Sequence, residues 1–287
     1  MRHTVTFFNL GILLAALIGL NGNTNVNLDQ FVQKKFLADT KQIEYNAQAP
    51  QNDEDYAEKI DELNITLHPG TDYAPDSKSS PSSLKHCKSL VYRTLKSLPP
   101  EPVGKLKHLT LYFSESGRRG LGGGSTIILR CRNVEDEELV GVLVHEMGHI
   151  MDTGVMEGTA DAGESAFRDG GNPVNNDDPS LDFYTLDFEN EKTLKEDATA
   201  WDFVSGYAMA DPYEDFAESY AYYILHGNEF REIAKFNQVL QAKYDYLKNR
   251  VFNGKEYFNG SKGKTEAFLR HYDVTVLPYD MNKFFVI

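Results

Sequence analysis

Apolar residues recur at helical spacing in two parts of the chain. Residues 137–151 predict one amphipathic helix, and the acidic segment 133–138 favours its start because negative charge offsets the helix dipole. A second helix is predicted from Pro212 to about His226, with Asp211 as its N-cap. Both helices carry side chains that can bind a metal ion.

Ahead of these helices, the pattern predicts one helix and two strands. Ser82 or Ser83 can cap a helix that runs to about Leu98 and has apolar side chains on one face. Residues 106–113 alternate apolar and polar positions, and residues 126–131 form a β-branched run, as strands do. The glycine-rich segment 114–125 lacks the GK[ST] of a phosphate-binding loop, so it predicts a flexible hairpin connection. Helix, strand, strand and helix in this order indicate an α+β fold.

The rest of the chain has a weaker pattern. The acidic, glycine- and asparagine-rich residues 154–200 predict a long insertion, in which Asp177, Asp178 and Asp182 fit either solvated surface or a weak calcium site. Residues 229–252 predict one long helix packed under the helix at Pro212. Short strands or a packing tail are predicted at residues 273–277 and 284–287.

Composition limits the protein class. With 287 residues, of which 41% are hydrophobic, the chain can form a substantial core, and its net charge of -14 argues against nucleic acid and anionic membrane partners. The apolar run at the N-terminus predicts a signal peptide at residues 1–22 and hence secretion, with an uncleaved N-terminal anchor as the alternative. Residues 23–80 are interpreted as a leader or appendage, and 81–287 as the main domain.

The two cysteines leave two readings open. Cys87 and Cys131 can form one disulfide in an exported protein, or they can be two separate buried thiols. Their spacing does not match a zinc-thiolate site.

The segment His145-Glu146-Met147-Gly148-His149 is an HExxH motif inside the first helix. Residues four apart lie one turn above each other, so His145 and His149 can reach a single zinc ion. Glu146 is then close enough to act as general base on a water at that ion. Asp152, three residues later, can orient a ligand or cap the helix.

One zinc ion per chain needs a third protein ligand. Asp161 is one candidate, because Gly158-Thr159-Ala160-Asp161 resembles the GTxD element of aspzincins. Glu214 is the better candidate, because it lies on a helical stripe with Glu218 and two alanines that let another helix approach closely. Glu218, one turn further on, is expected to accept a hydrogen bond from the outer N–H of a zinc-bound histidine.

Together, HExGHxxD, a later Ser-x-Tyr turn and the helix containing Glu-Asp-Phe-Ala-Glu resemble the zinc peptidases related to the catalytic domain of anthrax lethal factor and to bacterial Pro-Pro endopeptidases. The resemblance implies a two-lobe, zincin-like fold: a small mixed sheet and the HExxH helix in the upper lobe, and a mainly α-helical lower lobe. It also implies an edge strand that pairs with the substrate. Tyr207, seven residues before Glu214, would donate to the oxyanion.

The functional hypothesis is a secreted zinc endopeptidase acting on protein or peptide substrates, without stable membrane association once the signal peptide is removed. Its ligands are His145, His149 and Glu214, and its catalytic residues are Glu146 and Tyr207. The alternative is a secreted binding or toxin module on an inactive peptidase fold.

Overall fold

The computed structural model describes residues 55–69, 81–113, 117–132, 134–260 and 271–286. All of them belong to the unit Asn52–Ile287. The predicted signal peptide, residues 1–22, lies outside the described residues. None of the described helices is long and apolar enough to cross a membrane.

A four-stranded sheet occupies the N-terminal half of the described chain. Its strands are β1 (Thr66–Pro69), β2 (His108–Tyr112), β3 (Gly120–Gly123) and β4 (Thr126–Arg130). The spatial order is β1-β2-β4-β3, with β2 parallel to both of its neighbours and β3 antiparallel to β4. Leu109, Leu111, Ile127 and Leu129 alternate with more exposed residues and enter the core, as the period of a strand requires. The strand β3 forms one edge of this sheet.

Helices cover the sheet and form the rest of the core. They are α1 (Tyr56–Asp61), α2 (Pro81–Ser97), α3 (Pro100–Lys105), α4 (Asp136–Ile150), α5 (Leu181–Tyr184), α6 (Pro212–Leu225), α7 (Gly227–Ala234), α8 (Gln238–Tyr246) and α9 (Met281–Phe284). The predicted helices at 137–151 and 212–226 are confirmed to within about one residue at their ends. The helix predicted to be capped by Ser82 or Ser83 is also confirmed, but it begins earlier, at Pro81, and ends at Ser97. The predicted strands at 106–113 and 126–131 are confirmed as β2 and β4. The mixture of helices with small sheets agrees with an α+β fold.

Residues 55–69 are part of this sheet-and-helix structure. The strand β1 pairs with β2, and Ile60 and Ile65 are fully buried. Tyr56 of α1 packs against Tyr92 of α2, with ring centroids 6.0 Å apart. Part of the segment 23–80, interpreted from sequence as a leader or appendage, therefore contributes an edge strand and core side chains.

A disulfide joins α2 to the end of β4. Cys87 and Cys131 are bonded across 44 residues of chain, which decides between the two readings that the sequence left open. It links the helix layer to the strand that precedes α4.

The segment 154–200 is more ordered than its composition predicts. It contains two β-hairpins, β5 (Glu164–Asp169) with β6 (Asn172–Asn175), and β7 (Phe188–Asn190) with β8 (Thr193–Leu194). Apolar and aromatic side chains anchor it, since Phe167, Phe183, Tyr184 and Phe188 are each at most 2% exposed. The insertion was expected to be loop, and it contains hairpins instead because these few buried side chains outweigh the polar residues around them.

Of the two C-terminal predictions, one differs from the structure and the other is decided by it. The single helix predicted at 229–252 is broken into α7 and α8, because the side chain of Asn237 accepts a hydrogen bond from the Leu240 N–H and so caps a new helix. For residues 273–277 and 284–287 the sequence left short strands or a packing tail open. Their described part contains a 3-10 turn, Val274–Val276, and the end of α9 instead of strands, and the burial of Val274 and Phe284 agrees with the packing tail.

Candidate metal centre

The helices α4 and α6 pack closely because small residues meet between them. A Cβ atom added at Gly148 would lie 2.9 Å from the Cα of Ala217, which is closer than side chains normally allow. The apolar stripe of α6 predicted from sequence is buried, with Phe216, Tyr220, Tyr223 and Ile224 all 0% exposed. The close contact brings the carboxylates of α6 towards the histidines of α4.

The start of α6 fixes the position of Glu214. Asp211 caps the helix by accepting hydrogen bonds from the N–H groups of Tyr213 and Glu214, at 3.0 and 2.9 Å. Pro212 occupies the first turn, where its missing N–H costs no helical hydrogen bond. Glu214 therefore projects from a well-defined first turn.

The structure brings three predicted ligands to one point. Glu214 Oε2 lies 3.1 Å from Nε2 of His145 and 3.4 Å from Nε2 of His149. One ligand atom from each residue can be chosen so that all three lie within 4.8 Å of one another, and this is the one such group of histidine, cysteine and acidic side chains within the described ranges. Asp177, Asp178 and Asp182 are therefore not part of a comparable cluster.

These donors fit zinc. A tetrahedral zinc ion with ligands at about 2.0–2.1 Å separates neighbouring donor atoms by about 3.4 Å, close to both measured distances. Glu214 Oε2 is buried and, among the residues that the structure describes, has no partner in hydrogen-bond geometry. An acceptor of this kind between two imidazoles matches a bound cation.

The charges of these groups are strongly coupled. Burial alone would raise the pKa of Glu214, but its contacts with His145 and His149 outweigh burial and hold that pKa well below its usual range. Burial likewise disfavours protonated His145 and His149, yet contact with Glu214 leaves the pKa of each histidine raised. The same lone pairs that attract protons here are the ones a zinc ion takes.

Glu218 lies against the outer ring nitrogen of His145. Its Oε1 lies 2.9 Å from His145 Nδ1, as predicted for a carboxylate that accepts from the outer N–H of a ligand. Its Oε2 accepts hydrogen bonds from Ser205 Oγ at 2.5 Å and from the N–H of Val274 at 3.0 Å. Glu218 is 0% exposed, so three contacts from three parts of the chain hold one carboxylate.

Tyr207 lies at the edge of the same group. Its hydroxyl donates to Glu214 Oε1 at 2.7 Å, and its ring centroid is 6.1 Å from that of His145. The N–H of Tyr207 donates to the carbonyl of Tyr272 at 2.6 Å. The C-terminal segment, residues 271–286, therefore helps to set the position of Tyr207. Burial, followed by the charge of Glu214, raises the pKa of Tyr207 and keeps the phenol protonated.

Glu146 lies under the glycines of β3. It is 5% exposed, and a Cβ at either Gly120 or Gly122 would lie less than 3 Å from atoms of Glu146. Burial raises the pKa of Glu146, partly opposed by the nearby histidines of the motif. Its carboxylate is thus in contact with the strand and outside the three-ligand group.

Asp152 and Asp161 lie outside the three-ligand group. Asp152 is buried in the π-helical turn Met151–Val155, where both of its oxygens accept from the hydroxyl of Tyr184 at 2.7 Å. Burial raises the pKa of Asp152 to about 7. Asp161, the rival ligand, is exposed in the turn Ala160–Ala162 and is not in the metal-binding group.

A buried ion group next to Glu214 was not foreseen from the sequence. Lys243, 0% exposed, lies 2.6 Å from Asp187 and 2.7 Å from Asp215, and it donates to the carbonyl of Asp202. Asp215 directly follows Glu214 in α6, and Lys243 belongs to α8. This group therefore joins α6 to α8 and to the segment 187–202. Sequence spacing gave no signal for it, since Lys243 looks like an ordinary helix-surface lysine.

Comparison with known proteins agrees with this geometry. A family model described as "Putative zinc-binding metallo-peptidase" matches residues 133–277, just over half of the chain. The matched part contains the HExxH motif, Tyr207, Glu214, Glu218 and the segment that contacts Glu218 at Val274. Searches of curated proteins and of solved structures gave no match.

Proposed function

Since this chain belongs to the zinc-binding metallo-peptidase family, we propose that it is a secreted endopeptidase whose general base is Glu146. The observation that carries the proposal is the meeting of two imidazoles and one carboxylate beside a buried glutamate. A peptidase acts on protein or peptide substrates, and this chemistry needs a metal, a base and a donor for the developing negative charge.

Zinc is the cofactor, and His145, His149 and Glu214 would hold it. When bound, zinc polarises the peptide carbonyl and lowers the pKa of water to about 7. Three protein ligands leave a fourth position of a tetrahedral ion for water or substrate, as in catalytic sites. Glu218 keeps the proton of His145 on Nδ1, so that the Nε2 lone pair is available to the metal.

Glu146 would move the proton. As the residue after His145, it projects from the same part of α4, and it is buried against β3, where water access is small. It would take a proton from the attacking water and deliver it to the leaving amine. Its raised pKa, caused first by burial, is in the direction that suits a group that both accepts and returns a proton near neutral pH.

Tyr207 would stabilise the oxyanion. Its hydroxyl is 2.7 Å from Glu214 Oε1, and a small rotation of the phenol would turn the donor from this carboxylate to a substrate oxygen. A donor of this kind typically contributes about 3 kcal/mol to the transition state.

The substrate would add to the open edge of β3. This strand pairs with β4 on one side, and it is at the edge of the sheet beside α4, so an extended peptide could form a further strand there. The same proposal includes the two-lobe zincin arrangement and the likeness to anthrax lethal factor and the Pro-Pro endopeptidases. It also includes a role for Asp152 in supporting the ligands.

Secretion is supported by two independent features. The apolar N-terminal run suits a signal peptide, with an uncleaved anchor as the alternative. The disulfide between Cys87 and Cys131 suits an oxidising compartment.

Glu146→Gln tests the mechanism. The variant should bind one zinc per chain by elemental analysis, because residue 146 is not a ligand, while hydrolysis of an unfolded protein or a peptide library should disappear. The exposed Glu232→Gln is the matched control and should cleave like the wild type. Undiminished cleavage by Glu146→Gln would refute the mechanism, and a zinc-loaded wild type with no hydrolysis would favour a binding module.

A further inference from the structure

The first and third residues of β3 leave room for Glu146. A Cβ atom at Gly120 would lie 2.2 Å from Oε1, 2.7 Å from Cδ and 2.8 Å from Cγ of Glu146. At Gly122 it would lie 2.8 Å from the backbone oxygen of Glu146 and 2.9 Å from Oε2. The side chain of Glu146 thus occupies the volume that side chains at 120 and 122 would take.

Space, rather than backbone conformation, accounts for these two glycines. Gly123 and Gly124 have φ of 158° and 56°, and Gly124 lies in the turn to β4, where its left-handed φ favours glycine. Gly120 and Gly122 are not among the glycines with positive φ. Any residue could therefore adopt their backbone conformation, and the obstacle to a side chain is Glu146.

The strand is anchored where it meets Glu146. Arg119, immediately before β3, donates to Glu138 Oε1 of α4 at 3.0 Å and to Thr275 Oγ1 at 2.8 Å, and it also pairs with Asp273. The carbonyl of Arg119 accepts from the N–H of Arg130 in the neighbouring strand. With the strand held to α4, to β4 and to the C-terminal segment, a new side chain at 120 would displace Glu146 more easily than it would displace β3.

The two glycines differ in what a side chain would meet. At Gly120 the three nearest atoms all belong to the flexible side chain of Glu146, which can rotate away. At Gly122 the nearest atom is a backbone oxygen of α4, which cannot move without the helix. A methyl group at 120 should therefore move the carboxylate and spare the fold, whereas one at 122 should reduce stability.

We propose that Gly120 is a positioning residue of this peptidase, whose bare Cα reserves the space in which the Glu146 carboxylate is held for proton transfer. The inference rests on the proposed function, because it takes Glu146 as the general base. It adds that β3 determines the position of the Glu146 carboxylate, independently of how β3 binds a peptide. It also explains why this strand next to the metal ligands has glycine at position 120.

Gly120→Ala tests the proposal by its kinetics. We expect kcat to fall about 100-fold, the scale on which a displacement of about 1 Å acts, while zinc stays at one per chain. KM should change much less than kcat, because peptide pairing uses the backbone of β3 rather than this side-chain position. Gly104→Ala is the matched control, since nothing lies within 4 Å of the added Cβ, and its kcat should equal that of the wild type. Unchanged kcat in Gly120→Ala would overturn the proposal.

A second measurement does not depend on activity. Gly120→Ala and Gly122→Ala are each introduced into the wild type and into Glu146→Ala, and the denaturation midpoints of the zinc-loaded proteins are compared. Any decrease caused by Gly120→Ala should vanish in the Glu146→Ala background, because the three contacted atoms are then absent. The decrease caused by Gly122→Ala should persist, since the backbone oxygen remains.

The kinetic and the stability measurements distinguish a failure of the steric argument from a failure of the proposed function. An equal decrease from Gly120→Ala in both backgrounds would overturn the steric argument, even if the wild type is an active peptidase. A wild type without hydrolysis would refute the proposed function, and the coupling between positions 120 and 146 would then report on packing alone, which would overturn the positioning role.

Discussion

At the scale of single residues, a carboxylate oxygen lies close to each ring nitrogen of His145. Its Nε2 faces Glu214 Oε2 at 3.1 Å and its Nδ1 lies 2.9 Å from Glu218 Oε1. This arrangement favours the tautomer with the proton on Nδ1, which leaves the Nε2 lone pair for a metal. We therefore expect Glu218 to contribute to zinc affinity without touching zinc.

Glu218→Ala should weaken zinc binding about 10- to 100-fold, the usual cost of removing a carboxylate that orients a histidine ligand. Competition with a chromogenic chelator measures this directly. The zinc affinity of Glu218→Gln should lie between those of Glu218→Ala and the wild type, because its amide oxygen can still accept from His145. The zinc affinity of the surface variant Glu232→Ala should match that of the wild type. Equal zinc affinity in Glu218→Ala and wild type would show that Glu218 does not orient His145.

Single residues of the centre differ in how far the sequence predicts them. Helical spacing alone placed His145 and His149 together, and the stripe that Glu214 shares with Glu218 and two alanines on a second helix pointed to Glu214. The hydrogen bond from the N–H of Val274 to Glu218 joins residues 56 positions apart. Local periodicity carries no information on such a contact, because it is created by the packing of distant segments.

At the scale of elements, the first turn of α6 sets the position of the third ligand. Asp211→Ala would remove the acceptor of two N–H groups, including that of Glu214. We expect a loss of about 1 kcal/mol in the free energy of unfolding, together with weaker zinc binding. Denaturant unfolding and chelator competition measure the two effects.

Asn237→Ala is the control for this prediction. Asn237 caps α8 and so should also lower stability, but it lies outside the metal-binding group and should leave zinc affinity unchanged. If Asp211→Ala lowers stability and zinc affinity stays at the wild-type value, the cap does not position Glu214.

The elements that the sequence missed are those whose partners are distant or whose residues are poor strand formers. Glycines favour turns, so residues 120–123 predicted a hairpin connection, although pairing with β4 makes them a strand. The strand β1 pairs in parallel with β2 across about 40 residues, a pairing that no local pattern reports. Asn237 ended a predicted long helix by one side-chain hydrogen bond.

At the scale of the whole molecule, the disulfide closes a loop of 44 residues between α2 and the end of β4. In the chain-entropy model, this loop corresponds to about 4 kcal/mol of stability. Cys87→Ser combined with Cys131→Ser should lower the free energy of unfolding by up to that amount. A reductant should destabilise the wild type and have no effect on the double variant, and equal sensitivity of both to reductant would contradict the assignment.

Acid stability should depend on His226. This residue is 2% exposed, packed against Tyr222 and Tyr279, and burial followed by the charge of His271 lowers the pKa of His226 to about 3 from a normal value of 6.5. Between about pH 3 and pH 6.5, His226 therefore binds a proton in the unfolded chain but not in the folded chain. The contribution of neutral His226 is complete above pH 6.5 and is lost as the pH falls towards 3.

Denaturant unfolding of the zinc-free protein from pH 7 to pH 4 checks this prediction. The zinc-free form is used because zinc release would add its own pH dependence. His226→Gln, which cannot take up a proton, should show a smaller decrease over this range than the wild type. An equal decrease in both would assign the acid sensitivity to other groups.

The strand β1 has a practical consequence for anyone who shortens this protein. A recombinant version starting at Pro81, where the pattern of a peptidase domain begins, would lack the partner of β2 and the buried Ile60 and Ile65. The backbone N–H and C=O groups along the exposed edge of β2 could then pair with strands of other molecules, which promotes aggregation. Trimming should stop upstream of Asp55.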